Sequence, residues 1–563
     1  MRTTIRLLIV FGIFACVFTS CEKEVPYSVT VSYSNLERAP HGGGKYYKIP
    51  AGKTEVILTN LPRDKYVELV RVNTSSGAIP HVATVTLSSN DSSRRALSKG
   101  FETVDELVPS SNYSMNSNEY IEPDDGPHPV PFIDKTDYEA LFREIEGNVS
   151  ARRVGANRMI AGSTQLFEEG DTKSFYVSDN RGTVSATLKE VGTNCYVWVA
   201  DANYDNNSTE ANDHDNYYKD NKLTQAQAER LASAFDSLFE KEKTLIGNSY
   251  ERNPYPQSLI NPQDRISLFV YDIDDDYEST QNGGTFGMFW GGDFFDASVV
   301  DGSNEMEMLY VDAHFTDIFF ESVISTLSHE FEHMLYFVHK RIGRSRTDGE
   351  DWYKEMGAMM VEDCLADYFN RTYQNFVPSR DSTISRLSTF NATYPWGGLG
   401  YWGDEDEDDN AIYTSYAIAG IFGCWLQRNY GGERLIKEIV TNNATNEDSI
   451  TKAIRACGSN DSFFDALRKF AISFALPYAS NYTLNKSTTG NYPLIAADPW
   501  DNIYRYTISG RTYVGPCWIR DNYSGELKAY GFWINGWDCS SYSGIKLVFS
   551  AASGEENYIV IPD

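Results

Sequence analysis

The chain has 563 residues, more than one hydrophobic core usually supports, so two or more domains are expected. Hydrophobic residues make up 41% of it, which is ample for such cores, and the 37 tyrosines and 30 phenylalanines favour β structure beside helices. The formal net charge of -30 excludes nucleic acid as the main partner, because binding a phosphate backbone requires a basic surface.

The first twenty residues have the pattern of an export signal. Arg2 and Arg6 precede the apolar run LLIVFGIFACVF, which is too short to cross a bilayer as a helix. Cys21 follows, in an arrangement that resembles a bacterial lipoprotein signal. We predict a signal peptide over 1–20 and lipidation of Cys21, which would anchor the protein in the bacterial cell envelope, at the periplasmic or surface face of the outer membrane. An ordinary secretory signal is the alternative, and it also predicts export.

Short β-like runs separated by turn residues occupy both ends of the chain. Residues 22–90 include YSVTVSY, TEVILTNL and KYVELVRVN, which predict an N-terminal β-sandwich-like domain. Residues 482–563 include LKAYGFWI, GIKLVFSA and NYIVIP, which predict a second, C-terminal β domain. Residues 91–150 are predicted to be a linker, because residues 91–135 are rich in Ser, Asn, Asp and Pro. The stretch YEALFREIE in its last part predicts a short helix.

The central segment, residues 151–481, mixes strand and helix patterns. The apolar run ISLFVY predicts a central strand, and EMEMLYVD predicts another strand shortly before the helix ESVISTLSHEFEHMLYFVHK. Further helical patterns follow. The predicted fold class is therefore α+β, with a mixed sheet and a helical subdomain between two flanking β-sandwich-like domains.

The helix in this segment carries a metal-binding pattern, H-E-x-x-H, formed by His329, Glu330 and His333. Four residues advance a helix by about 400°, so both imidazoles share one face and can reach one ion. Glu330 beside them can accept a proton from water. With eight histidines, chance produces the pattern in on the order of one such chain per hundred, and the alternative is an amphipathic core helix.

A catalytic zinc needs a third protein ligand, and two candidates follow. His339 has the spacing of the metzincin pattern, but Tyr336 stands where that pattern needs a glycine to leave the helix, so we expect His339 at the surface or as a cap. Glu355 is favoured, because it interrupts an apolar helical surface where a carboxylate is costly without a positive partner. Glu362, two turns later on that face, is a candidate to hold the free nitrogen of a zinc-bound histidine.

HEFEHM followed by WYKEMGAMMVED resembles the gluzincin metallopeptidases, specifically the hyicolysin family, over about residues 150–480. The resemblance implies a gluzincin-like core in which His329, His333 and Glu355 bind Zn2+ and Glu330 is the general base. Lys354 departs from the family pattern, since gluzincins usually have asparagine at this position, which borders the substrate cleft.

The resemblance also implies two substrate-binding features. A tyrosine that helps to hold the oxyanion is expected, with Tyr413 and Tyr416 as the candidates. An edge strand that aligns an extended substrate is expected as well, with EMEMLYVD as the candidate.

These patterns together predict an exported, lipid-anchored zinc endopeptidase that hydrolyses peptide bonds with zinc-activated water and a glutamate base. Its partners would be a protein or peptide substrate and, through Cys21, a membrane. The alternative is a catalytically inactive, adhesin-like lipoprotein that binds a surface with a relic peptidase scaffold. The intact residues His329, Glu330 and His333 argue against a relic, and Lys354 is the one discordant residue.

Overall fold

The fold is taken from a computed structural model of the chain. It describes residues 27–39, 43–89, 128–129, 132, 134–143, 166–177, 182–208, 220–246, 263–278, 281, 283–344, 348–372, 383–403, 409–476, 506–508, 511–513, 519 and 521–563. The predicted signal peptide and Cys21 lie outside these described residues. Among the helices that it does describe, none combines the length and the apolar character needed to cross a membrane.

Six strands lie near the N-terminus, and in most of them apolar side chains alternate with polar ones, which gives each strand one face to bury. They are β1 (Ser28–Ser32), β2 (Glu37–Arg38), β3 (Gly44–Lys48), β4 (Glu55–Thr59), β5 (Tyr66–Asn73) and β6 (Ile79–Ser89).

The central part of the chain builds a six-stranded mixed sheet in the order β13-β14-β11-β10-β9-β8. Its central strands β10, β11 and β14 are parallel and fully buried, as their continuous apolar runs predict. The strands are β7 (His128–Pro129), β8 (Thr172–Val177), β9 (Gly182–Val191), β10 (Cys195–Ala200), β11 (Ile266–Tyr271), β12 (Gly283–Gly284), β13 (Gly287–Met288) and β14 (Met308–Asp312), of which β7 and β12 pair only with each other.

The edge of this sheet differs from the expected one. The segment EMEMLYVD forms β14, which pairs with β11 on one side and with β13 on the other. It is therefore an inner strand, and the short strand β13 is the edge. The sequence did not reveal β13, because this strand consists of Gly287 and Met288 alone. Two residues carry too little alternation to predict a strand.

The C-terminal strands do not form a separate domain. They are β15 (Tyr506–Ile508), β16 (Arg511–Tyr513), β17 (Asn522–Leu527), β18 (Phe532–Asp538), β19 (Gly544–Phe549) and β20 (Glu555–Pro562). Two five-stranded sheets, in the orders β1-β4-β19-β6-β17 and β18-β5-β20-β3-β2, each combine strands from both ends of the chain. Val56 and Leu547 from one sheet share a core with Leu69 and Ile559 from the other, so the two sheets form one β-sandwich.

This sandwich replaces the two flanking β domains that the sequence analysis expected. Alternation of apolar and polar residues shows which strands bury one face, but it does not show which distant strand each one pairs with. The two halves of the sandwich are more than 400 residues apart along the chain, as in the pairing of Leu58 with Ile545.

Besides a helical segment at residues 138–143, the structure describes nine α-helices, most of which form a helical subdomain. They are α1 (Gln225–Ile246), α2 (Ala313–Ile318), α3 (Phe320–Tyr336), α4 (Asp351–Thr372), α5 (Thr383–Thr393), α6 (Asp409–Tyr430), α7 (Glu433–Thr441), α8 (Asn446–Ala456) and α9 (Phe463–Phe474). The mixed sheet and these helices agree with the predicted α+β class.

Helix α4 packs closely against α6 because α6 presents glycines at the contact. A Cβ on Gly423 would lie 2.7 Å from Met360 Cγ and 2.8 Å from Met356 Cγ. The missing side chain lets the two helices approach, and this contact fixes α4, the helix that carries Glu355, against the rest of the subdomain.

Part of the predicted linker belongs to the body of the protein. Residues 132 and 134–142, called here the cleft segment, include Tyr138 and Phe142, which lie four residues apart and are both buried in the main hydrophobic core. The ring of Tyr138 meets that of Phe337 edge-on at 4.9 Å between centroids. The helical stretch YEALFREIE was recognised here in the sequence but was assigned to the linker.

The sandwich packs directly against the helical subdomain. The indole nitrogen of Trp533 in β18 donates a hydrogen bond to the Pro395 carbonyl at 2.7 Å. Arg468 of α9 forms two 2.8 Å hydrogen bonds with the carboxylate of Glu556 in β20. A bidentate pair of this kind fixes orientation as well as distance, so the sandwich is held against the helices.

Candidate metal centre

Strand β14 leads into the helix that carries the H-E-x-x-H pattern. Asp312, at the end of β14, caps α2 by accepting a hydrogen bond from the Phe315 backbone N–H at 2.9 Å. Its other carboxylate oxygen accepts one from the backbone N–H of Ile273 at 2.9 Å. Helix α3 begins two residues after α2 ends, so Asp312 ties the start of this helical pair to the sheet.

Helices α3 and α4 bring the three predicted metal ligands together. The rings of His329 and His333 lie 4.7 Å apart between centroids. Nε2 of His329 is 2.9 Å from Oε2 of Glu355, and Nε2 of His333 is 3.4 Å from its Oε1. One donor atom from each of the three residues lies within 4.8 Å of the other two.

This donor set fits a zinc ion. Two imidazole nitrogens and one carboxylate oxygen match a known catalytic zinc site, with a fourth position left for water or substrate. Bonds of about 2.0–2.1 Å in a tetrahedral arrangement separate the donor atoms by roughly 3.4 Å. The nitrogen–oxygen distances of 2.9 and 3.4 Å therefore need little adjustment.

The electrostatics of the cluster also favour a cation. Burial opposes a positive charge on His329, but Glu355 and Glu362 outweigh burial and raise the pKa of His329 well above 6.5. Burial likewise opposes the charge on Glu355, and the two histidines outweigh it and lower the pKa of Glu355 below 4.5. Carboxylates that hold a proton on a buried imidazole equally stabilise a divalent ion at the same position.

Glu362 holds the other side of His329, as its spacing from Glu355 suggested. Nδ1 of His329 lies 2.5 Å from Oε1 of Glu362. Arg386 of α5 in turn donates to Glu362 Oε2 at 2.9 Å. A proton held on Nδ1 leaves Nε2 free to bind a metal.

Sequence reasoning missed Arg386. It lies in the helix TISRLSTFNAT, which has no motif, and only the fold brings it to Glu362. Burial raises the pKa of Glu362, but Arg386 and His329 outweigh burial and lower it. Arg386 therefore keeps Glu362 ionised as the hydrogen-bond acceptor for His329.

Glu330 lies buried beside this cluster. Burial raises its pKa to about 8, with a smaller opposing effect from His329. Gly287 of the edge strand β13 lies close by, since a Cβ there would stand 3.9 Å from Glu330 Cγ. The edge strand therefore runs past a carboxyl group with a high affinity for a proton.

Glu332, a further buried carboxylate that the sequence analysis missed, lies next to His333. Glu332 Oε2 is 3.6 Å from Nδ1 of His333. Burial raises the pKa of Glu242 in α1, and the charge of Glu332 raises it further. Glu242 has no hydrogen-bond partner among the described residues for either carboxylate oxygen.

The two candidate tyrosines differ in their surroundings. Tyr416 is 7% exposed, and burial together with the charges of Glu355 and Glu330 raises its pKa well above 10. Tyr413, one turn earlier on α6, is 41% exposed. The electrostatic effect of both carboxylates on its hydroxyl places Tyr416 close to the cluster.

His339 does not join the metal cluster. It lies in the π-helical turn Phe337–Arg344 that continues α3, and the group of possible ligands in the described residues comprises His329, His333 and Glu355. Its expected place at the surface is wrong, because only 8% of its surface is exposed. The chain stays helical after Tyr336, as predicted, so no turn brings His339 back toward the two histidines.

Comparison with known proteins gives the family. The model of the peptidase M30 family matches residues 192–516, which is more than half of the chain. The chain belongs to the peptidase M30 family. It is also 25% identical over 293 residues to "Neutral metalloprotease ShpI" from Staphylococcus hyicus, an alignment that covers 50% of this chain and 56% of that protein. The resemblance to the hyicolysin family is thereby confirmed.

The M30 match includes every residue of the cluster, from Glu242 to Tyr416. It leaves out the cleft segment and the strands of the β-sandwich, β1–β6 and β17–β20. Lys354, the departure from the gluzincin pattern, lies within the match and forms a 2.8 Å ion pair with Asp351.

Proposed function

We propose that this protein is a zinc-dependent endopeptidase, with His329, His333 and Glu355 as metal ligands. The observation that carries the proposal is the convergence of these three donors beside Glu330, in a chain of the peptidase M30 family. A zinc ion held there supplies Lewis-acid polarisation of the peptide carbonyl and of the attacking water.

Glu330 is the general base in this proposal. It accepts a proton from the water while the water oxygen bonds to the carbonyl carbon, and it returns that proton to the leaving nitrogen as the C–N bond breaks. Burial raises the pKa of Glu330 above its usual value, which makes its carboxylate a stronger proton acceptor than an exposed one.

Two further groups position the substrate and the developing charge. The hydroxyl of Tyr416, close to Glu355 and Glu330, is the donor to the oxyanion, and Tyr413 is the second candidate. The edge strand β13 aligns an extended peptide through backbone hydrogen bonds, in the role that the sequence analysis gave to EMEMLYVD.

We further propose that the protein is exported and anchored to the bacterial cell envelope by a lipid on Cys21. Arg2, Arg6 and the apolar run before Cys21 support this proposal. Labelling of growing cells with a clickable fatty acid tests it. The label is expected on the wild-type protein and is expected to disappear in Cys21→Ala, and a label that persists in that variant contradicts the anchor.

Zinc analysis combined with casein hydrolysis tests the enzyme. The wild type is expected to hold about one zinc per chain and to cleave casein, whereas Glu330→Gln should keep the metal and lose cleavage. Bound zinc without cleavage by the wild type would instead favour the adhesin-like alternative, a surface-binding protein on an inactive scaffold.

A further inference from the structure

An open cleft of about 500 Å3 adjoins the candidate metal centre, a size in the usual range for binding pockets. Glu330, His333 and Glu355 are among the residues that line it. Phe132 and Asp134 of the cleft segment also line it, and this segment lies outside the residues matched by the M30 family.

The cleft segment is fixed in place by the core. Tyr138 is buried and packs edge-on against Phe337, and the Phe142 ring meets that of Phe295 at 5.4 Å between centroids. The indole N–H of Trp290 donates to the Thr136 hydroxyl at 3.1 Å. A segment held by buried aromatics and a hydrogen bond is a permanent part of the cleft wall.

Apart from the residues of the candidate metal centre, the charged side chains that line the cleft form ion pairs or hydrogen bonds within the protein. Arg341 forms an ion pair with Asp348, and Lys354 pairs with Asp351 at 2.8 Å. Asp134 accepts a hydrogen bond from the Tyr138 hydroxyl at 2.5 Å.

The remaining surface of the cleft is aromatic. Phe132, Phe289 and Phe337 line it together with the ring of Tyr138. With these aromatic walls the cleft is suited to a large aromatic side chain, which can bury its apolar surface there and pack edge-on or offset against the rings.

We propose that this cleft is the subsite for an aromatic substrate residue beside the scissile bond, and that Phe132 determines this preference. The inference rests on the proposed peptidase function, because only a peptide held at the metal centre would project a side chain here. The specificity of this chain then depends on a segment that lies outside the family match.

Phe167 offers a matched control for Phe132. Both are half-buried phenylalanines that pack against the same hydrophobic cluster, but only Phe132 lines the cleft. Substitution of either one by alanine removes a similar amount of packing, so a difference between the two variants reports on the cleft.

The experiment measures kcat/KM for a peptide library and then for two peptides that differ only by phenylalanine or alanine at the preferred position. The wild type is expected to favour phenylalanine, Phe132→Ala to reduce the phenylalanine-to-alanine ratio at least tenfold, and Phe167→Ala to change it less than twofold. Phe132→Leu keeps much of the bulk, should fold if Phe132→Ala does not, and is expected to shift the preference from aromatic to aliphatic residues.

An unchanged ratio in a folded Phe132 variant, with the wild type active, overturns the inference while leaving the peptidase function intact. Equal acceleration of every peptide by Phe132→Ala also overturns it, since the segment would then be an obstruction. A wild type that cleaves no member of the library contradicts the proposed function itself and this inference with it.

Discussion

Oε1 of Glu362 lies 2.5 Å from Nδ1 of His329, and Arg386 holds the same carboxylate from its other side. This chain of contacts orients the imidazole before any metal arrives. Partners of this kind typically contribute 10–100-fold to metal affinity.

Replacement of Glu362 by glutamine should therefore weaken zinc binding by roughly 10–100-fold, because the neutral amide cannot stabilise the proton on Nδ1 as a carboxylate does. Competition with a chromogenic zinc chelator measures the affinity. Glu438→Gln, on α7, serves as the control substitution. Equal zinc affinity in wild type and Glu362→Gln would show that the contact does not orient the ligand.

Measuring the zinc content of two variants decides whether Glu355 or His339 is the third ligand. Glu355→Ala removes one of the three donors and is expected to purify with little zinc. His339→Ala is expected to keep about one zinc per chain, because His339 lies outside the donor group. The reverse result, with zinc lost only in His339→Ala, would establish a metzincin-like site.

The two tyrosines should differ in their effects on catalysis. Tyr416→Phe removes the hydroxyl close to Glu355 and Glu330, and is expected to lower kcat by about 10²–10³-fold with little change in KM. Tyr413→Phe, the matched control on the same helix, is expected to remain within about threefold of the wild type. A comparable loss of kcat in both variants contradicts the assignment to Tyr416.

Asp293 makes stability depend on pH through a site away from the metal centre. It is fully buried, where it accepts hydrogen bonds from Tyr310 at 2.6 Å and from the Asn304 backbone at 2.7 Å, and burial raises its pKa from 3.8 to about 7. The folded protein therefore prefers the protonated carboxyl. Its contribution to stability is complete below about pH 4 and is lost as the pH rises through 7.

Urea unfolding of the wild type and Asp293→Asn measures this contribution. The stability of the wild type relative to the variant should fall by roughly 3 kcal/mol between pH 5 and pH 8, because asparagine does not titrate. Asp301→Asn, an exposed substitution in the same loop, is the control for the chemical change. A constant difference across this pH range would show that Asp293 is ionised in the folded protein throughout.

The convergence of the candidate metal ligands was the most predictable part of this molecule. Its information is local: His329 and His333 are one helical turn apart, and Glu355 and Glu362 are two turns apart on the next helix of the sequence. Residues at these spacings lie on the same face of an α-helix, so the sequence alone shows that they are neighbours. Arg386 could not be found in this way, because its contact with Glu362 depends on how α5 packs against α4.

The arrangement of the strands was less predictable. The β patterns at both ends of the chain were recognised as strands, but Val56 and Leu547 meet only because the two ends pair in one sandwich. Tyr138 and Phe142 lie in the helical stretch YEALFREIE, which was recognised but assigned to the linker, although both side chains are buried in the main core. Composition reports the average character of a segment, whereas two well-spaced aromatic residues are enough to anchor it.

The most direct test of the central claim is the hydrolysis of casein by the purified protein before chelation, after chelation and after re-addition of zinc. If His329, His333 and Glu355 hold a catalytic zinc, chelation should abolish hydrolysis, and about one equivalent of zinc should restore it in the wild type but not in Glu355→Ala. Hydrolysis that survives complete removal of zinc, or that zinc restores equally in Glu355→Ala, would contradict the claim.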